Sequence, residues 1–322
     1  MPKVKKAVIT AAGRGTRQYP ATSVVQKEML PLVDRDGLTK PVIQIIAEEA
    51  FDAGIEEICI VVSPGDEHQF RQYFKAMETD MLPAFADKEW ALKESAKLAR
   101  METALHFAVQ DKPEGYGHAV YQAREFVGDE PFLLLLGDHI YISQDQKRCA
   151  AQLIDAYYLS GAEALSAVKP TPANLLHLFG AMKGRPLDAT GRLFAVDAIK
   201  EKPSVAYAQE HLATTGIPIG TYLCHFGMHV FSPLLFEILG QHIRDNVRDK
   251  GEIQLTSAQE AMRQQLKRYY CLDVQGERYD TGIPFGLMET QIALALASIH
   301  RQEIVESLAR LLTQQLLTVK KQ

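Results

Sequence analysis

The sequence predicts an α/β protein with a doubly wound, mainly parallel open sheet, a smaller β-rich part and a C-terminal helical arm. Three observations predict this fold class. Short strand-like runs alternate with helical periodicity through the first half, which implies βαβ units. The strand-like runs are continuously apolar, as expected of parallel strands covered on both faces. From residue 284 apolar residues recur at helical spacing almost to the end of the chain.

The elements of the first half follow from local spacing. Apolar residues at helical intervals predict a helix over 41–51, and Gly54 acts as its stop signal. The same spacing predicts a second helix over 66–77, and residues 80–104 predict a helical insertion. Strand-like runs cover residues 7–10, 58–62, 105–109 and 132–136.

The second half carries more strand signal. His118 is predicted to cap a helix over 119–126, and residues 188–191 predict a turn between strands over 176–182 and 193–199.

We therefore predict one α/β domain over residues 1–283, followed by a helical arm over 284–322. The domain divides into halves at about 1–140 and 160–283. The arm is either a packing layer or an oligomer interface, and the interface is preferred.

Composition excludes several classes of protein. The 322 residues are 47% hydrophobic and 23% charged, which is ordinary for a globular protein. No apolar run approaches the roughly 20 residues of a membrane span, and the basic N-terminus lacks the features of a signal peptide. A net charge of −5 argues against nucleic-acid and anionic-membrane partners. Four cysteines without C-x-x-C spacing are expected to be buried thiols in a reducing cytoplasm.

The loop after the first strand has the features of a polyphosphate site. Ala11, Ala12, Gly13 and Gly15 allow close backbone approach, and consecutive N–H groups in such a loop can bind an anion. Gln18 stands where a dinucleotide fingerprint needs its third glycine, and no Gly-Lys-Ser/Thr follows, so the two better-known phosphate loops are excluded. Positive charges for a triphosphate come from Arg17 and Lys27. The segment predicts a nucleoside triphosphate site.

Other polar residues also follow strands, at the edge where open α/β sheets bind ligands. Asp138 can be a helix cap or a Mg²⁺ ligand, and the phosphate loop at the same edge favours the metal. Gln110 can donate and accept together, which matches a pyrimidine edge. Glu201 and Lys202 stand at a strand terminus that Pro203 ends; a lone Glu-Lys pair is usually a solvated surface, although a carboxylate can accept from hydroxyls and an ammonium can neutralise phosphate.

These motifs together resemble a known family. The run G-x-G-T-R, then nine residues, then K-E-M-L-P resembles the sugar-1-phosphate nucleotidylyltransferases, most closely the bacterial UTP–glucose-1-phosphate uridylyltransferases. The resemblance covers roughly residues 5–295. Its further segments are Gln110–Ala119, Leu136–Asp138, Glu201–Pro203, Gly251–Thr256 and Tyr279–Gly282.

The resemblance implies a Rossmann-like nucleotidyltransferase fold whose two halves bind the nucleotide and the sugar. It implies transfer from UTP to α-D-glucose 1-phosphate, giving UDP-glucose and pyrophosphate, with Mg²⁺ as cofactor. Independently of the resemblance, the cysteines predict a cytoplasmic protein, and the preferred interpretation of the helical arm predicts a homo-oligomer, a dimer or tetramer. The implied site residues are Arg17, Lys27 and Lys202 for catalysis; Ala11, Ala12, Gly13, Glu28, Gln110 and Gly115 for the nucleotide; Gly180 and Glu201 for the sugar; and Asp138 for the metal.

Some positions depart from the uridylyl pattern. Gln26 replaces a proline before Lys27, Gly137 precedes Asp138 as in thymidylyl relatives, and residues 227–229 read Gly-Met-His in place of Gly-Arg-Tyr. Two alternatives therefore stay open: thymidylyl transfer or another hexose 1-phosphate, and a non-catalytic nucleotide-sugar-binding paralogue.

Overall fold

The computed structural model describes residues 2–78 and 80–319, whose contacts form two compact units. Unit 1 contains residues 2–13, 50–136 and 150–275, and unit 2 contains residues 14–49, 137–149 and 276–319. The strands are β1 Lys6–Ala11, β2 Pro31–Val33, β3 Thr39–Pro41, β4 Glu57–Val62, β5 Leu105–Val109, β6 Phe132–Leu136, β7 His139–Ser143, β8 Ala164–Pro172, β9 Ala181–Pro186, β10 Leu193–Lys200, β11 Thr221–Phe231, β12 Tyr269–Asp273 and β13 Gly276–Asp280. The α-helices are α1 Val42–Phe51, α2 Glu67–Tyr73, α3 Glu89–Ala104, α4 Tyr116–Tyr121, α5 Arg124–Val127, α6 Cys149–Ser160, α7 Val205–His211, α8 Leu234–Arg244, α9 Leu255–Gln265, α10 Pro284–Leu296 and α11 Arg301–Val319.

Unit 1 is built on one long twisted sheet. Among the described residues its strands lie in the order β5–β4–β1–β6–β11–β8–β12–β10–β9. The pairs β5–β4, β4–β1 and β1–β6 are all parallel, with Ile9 opposite both Ile60 and Leu135. β1, β4 and β6 are buried, as predicted for strands covered on both faces, whereas β5 at the edge of the sheet is only partly buried.

Beyond β6 the sheet is mixed. β11 runs antiparallel to β6, β8 and β9, while β12 is parallel to β8 and antiparallel to β10. The predicted α/β class is confirmed, and its parallel order holds from β5 to β6. The register between β8 and β11 shifts between His225 and His229, and Gly227 there has a φ of 87°.

Two predicted helices were misplaced. The helix expected over 66–77 ends at Tyr73, because the Met77 backbone N–H donates to the Ser95 hydroxyl of α3 at 2.9 Å. The helix expected over 119–126 is two short helices, α4 and α5. His118 therefore lies inside α4, and the prediction that it caps a helix was wrong. The N-cap is Gly115, which has a φ of 121° and lies three residues before His118.

The strand predicted over 176–182 was also misplaced. Residues Ala173–Leu178 form a 3₁₀ helix, and β9 begins only at Ala181. Leu176 is buried against Leu212 and Ala208, so its apolar character reflects packing under a short helix rather than a strand. The turn over 188–191 and the strand after it are confirmed.

Unit 2 contains two small antiparallel ladders, β2–β3 and β7–β13, together with α10 and α11. The predicted helical arm is confirmed as these two helices. Lys40 is 2% exposed and reaches the carboxylates of Asp34, Asp36 and Glu48 at 3.0, 2.6 and 3.1 Å.

Two predictions from composition can be compared with the structure. The four cysteines are buried free thiols, as predicted. Among the described residues, no helix has both the length and the apolar character needed to cross a membrane.

Candidate functional site

An acidic cluster in unit 2 arises from the β7–β13 ladder. Asp138 directly precedes β7, and the antiparallel register places Asp280 opposite His139. One ligand atom from each of Asp138, His139 and Asp280 lies within 4.8 Å of the others. His139 Nδ1 hydrogen-bonds Asp138 Oδ1 at 2.8 Å, so the ring orients the first carboxylate. The ladder thus joins two carboxylates that are far apart in sequence.

The Asp-Thr-Gly segment at residues 280–282 fixes the geometry of this cluster. The backbone N–H and the hydroxyl of Thr281 both donate to the carbonyl of Asp138, each at 2.8 Å. The Gly282 N–H donates to Asp280 Oδ1 at 2.8 Å. A Cβ on Gly282 would lie 2.7 Å from Asp138 Oδ2 and 2.9 Å from Asp280 Oδ1. Gly282 therefore leaves open a space bordered by both carboxylates.

Lys27 is paired with Asp138 in the same unit. Its Nζ lies 2.6 Å from Asp138 Oδ2, and the two side chains are 12% and 11% exposed. Burial alone would raise the pKa of Asp138, but the hydrogen bond and charge of His139 and the charge of Lys27 outweigh it and hold that pKa well below its usual range. Burial alone would lower the pKa of Lys27, but the charges of Asp138 and Glu28 raise it. Both groups are therefore ionised at neutral pH.

Glu28 is the most deeply buried carboxylate of this region, with a fully buried side chain. Lys27 Nζ lies 3.5 Å from its Oε1, and neither carboxylate oxygen accepts a hydrogen bond from the described residues. Burial, with a smaller contribution from the charge of Asp138, raises the pKa of Glu28 to about 8. The carboxyl is thus largely protonated at neutral pH.

The phosphate loop contributes an exposed cation. Arg17 is 59% exposed, and its NH1 lies 3.6 Å from Asp280 Oδ2. The loop turns at Gly15, whose φ is 61° and whose carbonyl accepts from the Thr22 hydroxyl at 2.8 Å. Gln18 is buried and donates to the Thr281 carbonyl at 2.6 Å, which ties the loop to the Asp-Thr-Gly segment.

In unit 1, the residues predicted to read the base form a second group. The Gln110 side chain is buried, and its Nε2 contacts the Gly115 carbonyl at 3.1 Å and His118 Nδ1 at 3.0 Å. A Cβ on Gly115 would lie 2.7 Å from the Ile253 carbonyl, so only glycine fits this contact. Ala12 lies at the end of β1, and its carbonyl accepts from the Ser63 hydroxyl at 2.9 Å.

The residues predicted to bind the sugar form a third group, also in unit 1. Glu201 Oε2 accepts a hydrogen bond from the Thr256 hydroxyl at 2.6 Å and lies 3.0 Å from the position of a Cβ on Gly180. Lys202 has a φ of 40°, its Nζ lies 3.7 Å from Glu201 Oε1, and its side chain is 44% exposed. The left-handed backbone at Lys202 is uncommon for a non-glycine residue and is typical of functional sites.

Unit by unit, the predicted residues gather into these groups. In unit 2 the structure joins Lys27, Glu28 and Asp138, with Arg17 linked through Asp280. In unit 1 it joins Gln110 with Gly115, and Gly180 with Glu201 and Lys202, while Ala11, Ala12 and Gly13 lie at the end of β1.

Sequence reasoning missed Asp280, His139 and Thr256. The signal for two of them was present, because Asp280 and Thr256 stand in the segments Tyr279–Gly282 and Gly251–Thr256. Their roles required knowledge of which strand pairs with which.

The donor set of the acidic cluster fits a hard divalent cation. Such cations take carboxylate oxygens from the protein and complete their shell with water and phosphate oxygens. Asp138 and Asp280 supply the oxygens, and Gly282 leaves room between them. The Lys27 ammonium neutralises part of the negative charge of the two carboxylates.

Comparisons with known proteins agree with this architecture. Residues 6–295 match the family model described as nucleotidyl transferase. The UTP–glucose-1-phosphate uridylyltransferase of Bacillus subtilis (strain 168) is 37% identical over 299 residues, which cover 92% of this chain and 92% of the relative. A UDP-glucose pyrophosphorylase crystallised with UDP-glucose has a TM-score of 0.72 and 28% identity, covering 90% of this chain and 98% of its own. A UTP-bound UGPase from Acinetobacter baumannii has a TM-score of 0.76 and 26% identity, covering 95% of this chain and 99% of its own.

Proposed function

The chain belongs to the nucleotidyl transferase family, and from that membership we propose that it catalyses uridylyl transfer from UTP to α-D-glucose 1-phosphate. The products are UDP-glucose and pyrophosphate. The observation that carries the proposal is the unit 2 cluster in which Lys27, Asp138 and Asp280 combine a buried cation with two carboxylates. A binding protein for a nucleotide sugar has no need of such a cluster, so it favours the enzyme over the non-catalytic paralogue.

The reaction needs no nucleophilic side chain. A phosphate oxygen of glucose 1-phosphate attacks the α-phosphorus of UTP, and the bond from that phosphorus to the β-phosphate bridging oxygen breaks, releasing pyrophosphate. Catalysis then consists of positioning and charge stabilisation. Lys27 neutralises charge on the α-phosphate, Lys202 neutralises the sugar phosphate, and Arg17 neutralises the departing pyrophosphate. These three roles are inferred from charge and location within each unit.

We propose Mg²⁺ as the cation that Asp138 and Asp280 hold. When bound, it supplies positive charge to the phosphate oxygens that gain negative charge. The low pKa of Asp138 keeps its carboxylate ionised for this role. The protonated Glu28 adds no further negative charge beside it, which suits a site that must accept a triphosphate. The assignment of Glu28 to the nucleotide site is the one that the family resemblance implies, and its buried position beside Lys27 supports it.

For the base, we propose that Gln110, Gly115 and the backbone of residues 11–13 bind the pyrimidine edge. The contacts of Gln110 Nε2 with Gly115 and His118 hold the amide in one orientation. Its amide cannot distinguish uracil from thymine, so preference for UTP over dTTP is expected to be modest, since a methyl group in a pocket is worth about 1–3 kcal/mol. Thymidylyl transfer is the second candidate, and Gly137 before Asp138 is the residue that favours it.

A coupled pyrophosphate assay with glucose 1-phosphate and each of UTP, dTTP, CTP and ATP tests the proposal. We expect Mg²⁺-dependent pyrophosphate release, fastest with UTP and much slower with CTP and ATP. The Asp138→Asn variant should fold and lose most turnover, because an amide cannot neutralise the cation. A variant that keeps its turnover within a few-fold of the parent at saturating Mg²⁺ would contradict the metal assignment. A preference for dTTP would instead change only the assignment of the base, from uracil to thymine.

Four further predictions belong with this proposal. We propose that residues up to about 140 serve the nucleotide, that residues 160–283 serve the sugar, and that the helices after 284 form an oligomer interface. Support for the interface comes from α11, where Val305, Leu311, Leu312 and Leu316 are 46–67% exposed. Light scattering of the whole chain should give a dimer or tetramer. A cytoplasmic location, inferred from the free thiols, completes the proposal.

A further inference from the structure

We propose that His225 determines sugar specificity by hydrogen-bonding a hydroxyl of the hexose 1-phosphate close to the one that Glu201 binds. The inference rests on the proposed function and adds a residue that the family resemblance does not supply. His225 lies on β11. Gly180 and Glu201 belong to the same unit, unit 1.

The first support is the space in front of Gly180. A Cβ built on Gly180 would lie 3.0 Å from Glu201 Oε2 and 3.0 Å from His225 Nδ1. The His225 backbone N–H donates to the Gly180 carbonyl at 2.9 Å, so the two segments are fixed to each other. The two polar side chains therefore lie beside the same face of Gly180, and a sugar that approaches the Gly180 backbone comes within reach of both.

The second support is the strand pairing that places His225. In the antiparallel pair of β9 and β11, Leu223 lies opposite Met182 and Cys224 lies opposite Ala181. The same register, continued by one residue, sets His225 opposite Gly180, in agreement with the hydrogen bond between their backbones. Residues directly opposite in an antiparallel pair lie on the same face of the sheet, so the His225 side chain is on the face that the missing Cβ of Gly180 leaves uncovered.

The third support is a buried polar network behind the ring. His229 is buried, and its Nδ1 contacts the Ser166 hydroxyl at 2.9 Å and Gln259 Nε2 at 3.3 Å. Gln259 Nε2 also donates to the Tyr269 hydroxyl at 3.1 Å, which extends the network to β12. The rings of His225 and His229 lie edge to face with centroids 5.3 Å apart. A fixed neighbour reduces the freedom of His225 and prepares it for one geometry.

The chemistry of the pair suits neighbouring hydroxyls. The Glu201 carboxylate only accepts, and one of its oxygens already accepts from Thr256. An imidazole nitrogen can donate or accept. His225 can therefore bind the neighbouring sugar hydroxyl in either orientation, while Glu201 accepts from its own hydroxyl. The proposal is therefore selectivity for a hexose with hydroxyls on two adjacent positions at this edge of the ring.

The test compares the parent enzyme, His225→Val and His225→Asn with UTP and a set of glucose 1-phosphates that lack one hydroxyl each. His225→Val should lower kcat/KM for glucose 1-phosphate by about tenfold, mainly through the KM of the sugar, since a neutral hydrogen bond has a net value of that order. The KM of UTP should stay unchanged. His225→Asn retains a polar group near Nδ1 and should restore most of the loss. His68→Val, at an exposed position on α2, is the matched control and should behave as the parent.

The decisive result is coupling to one deoxy analogue. The kcat/KM of the parent should be about tenfold lower with that analogue than with glucose 1-phosphate. The kcat/KM of His225→Val should be the same for the analogue and for glucose 1-phosphate, because the variant already lacks the same hydrogen bond. An equal loss for every analogue would indicate a structural role and overturn the proposal, as would a His225→Val variant with parental constants. If the parent releases no pyrophosphate with any hexose 1-phosphate, the proposed function fails, and the inference fails with it.

Discussion

Replacing Gly282 with alanine tests the acidic cluster without removing any charged group. The added Cβ would lie 2.7 Å from Asp138 Oδ2, 2.9 Å from Asp280 Oδ1 and 3.1 Å from an Arg17 guanidinium nitrogen. Ordinary contact begins at 3.4 Å, so the two carboxylate oxygens must retreat by roughly 0.7 and 0.5 Å. Asp138 is held by Lys27 and His139, so its movement disturbs both partners.

The expected loss follows from these displacements. Ligand distances in a metal site hold to within about 0.2 Å, so both displacements exceed the tolerance of the pair. A misplacement of about 1 Å can cost roughly 100-fold in rate. We therefore expect Gly282→Ala to lower kcat by about 100-fold and to raise the Mg²⁺ concentration needed for half-maximal activity. Its stability should fall by the cost of overpacking, about 1–3 kcal/mol, with no further backbone penalty, because the φ of Gly282 lies outside the left-handed region.

The assay is pyrophosphate release across a Mg²⁺ titration, with a thermal melt of each variant. Gly240→Ala is the control, since a Cβ added to this helical glycine of α8 would meet only the Tyr121 and Arg244 side chains, at 3.2–3.4 Å. The control should keep the parental Mg²⁺ dependence. If Gly282→Ala keeps kcat and its Mg²⁺ requirement within threefold of the parent, the two carboxylates do not hold the cation together.

Two further predictions address the sugar group and the core of unit 2. Lys202→Ala should reduce kcat by roughly 10²–10³-fold through lost charge stabilisation, whereas Glu201→Gln should mainly raise the KM of glucose 1-phosphate. Small effects of both substitutions in steady-state kinetics would remove these residues from the site. Lys40→Met should lower the free energy of unfolding by about 3–5 kcal/mol in urea titrations, because it leaves a buried carboxylate cluster without its cation. Lys93→Met, which breaks an exposed ion pair with Glu89, should cost under about 1 kcal/mol, and an equal cost would contradict the argument.

The fold class followed from local sequence, whereas the site residues are proposals that rest on the motifs and on the family resemblance. In the parallel part of the sheet, the bounds of β1, β4, β5 and β6 were predicted within a residue or two. A parallel strand of this kind is a continuous apolar run and can be recognised from the sequence. Helices were less well predicted where another segment competes for the backbone. The Met77 N–H bonds to Ser95, and Gly115 starts α4 against Ile253, and neither partner is near in sequence.

The sequence by itself determined which chemistry is available: a glycine-rich cationic loop, a carboxylate after a buried strand and a Glu-Lys pair at a strand end. Only the tertiary structure decided how those groups combine. Thr281 bonds Asp138 across 143 positions, and the β7–β13 register brings Asp280 to the same cluster. Likewise, the antiparallel pairing of β9 with β11 sets His225 beside Gly180. Periodicity reports which face of an element is buried, but the pairing of distant strands depends on the whole chain, so it cannot be obtained from local spacing.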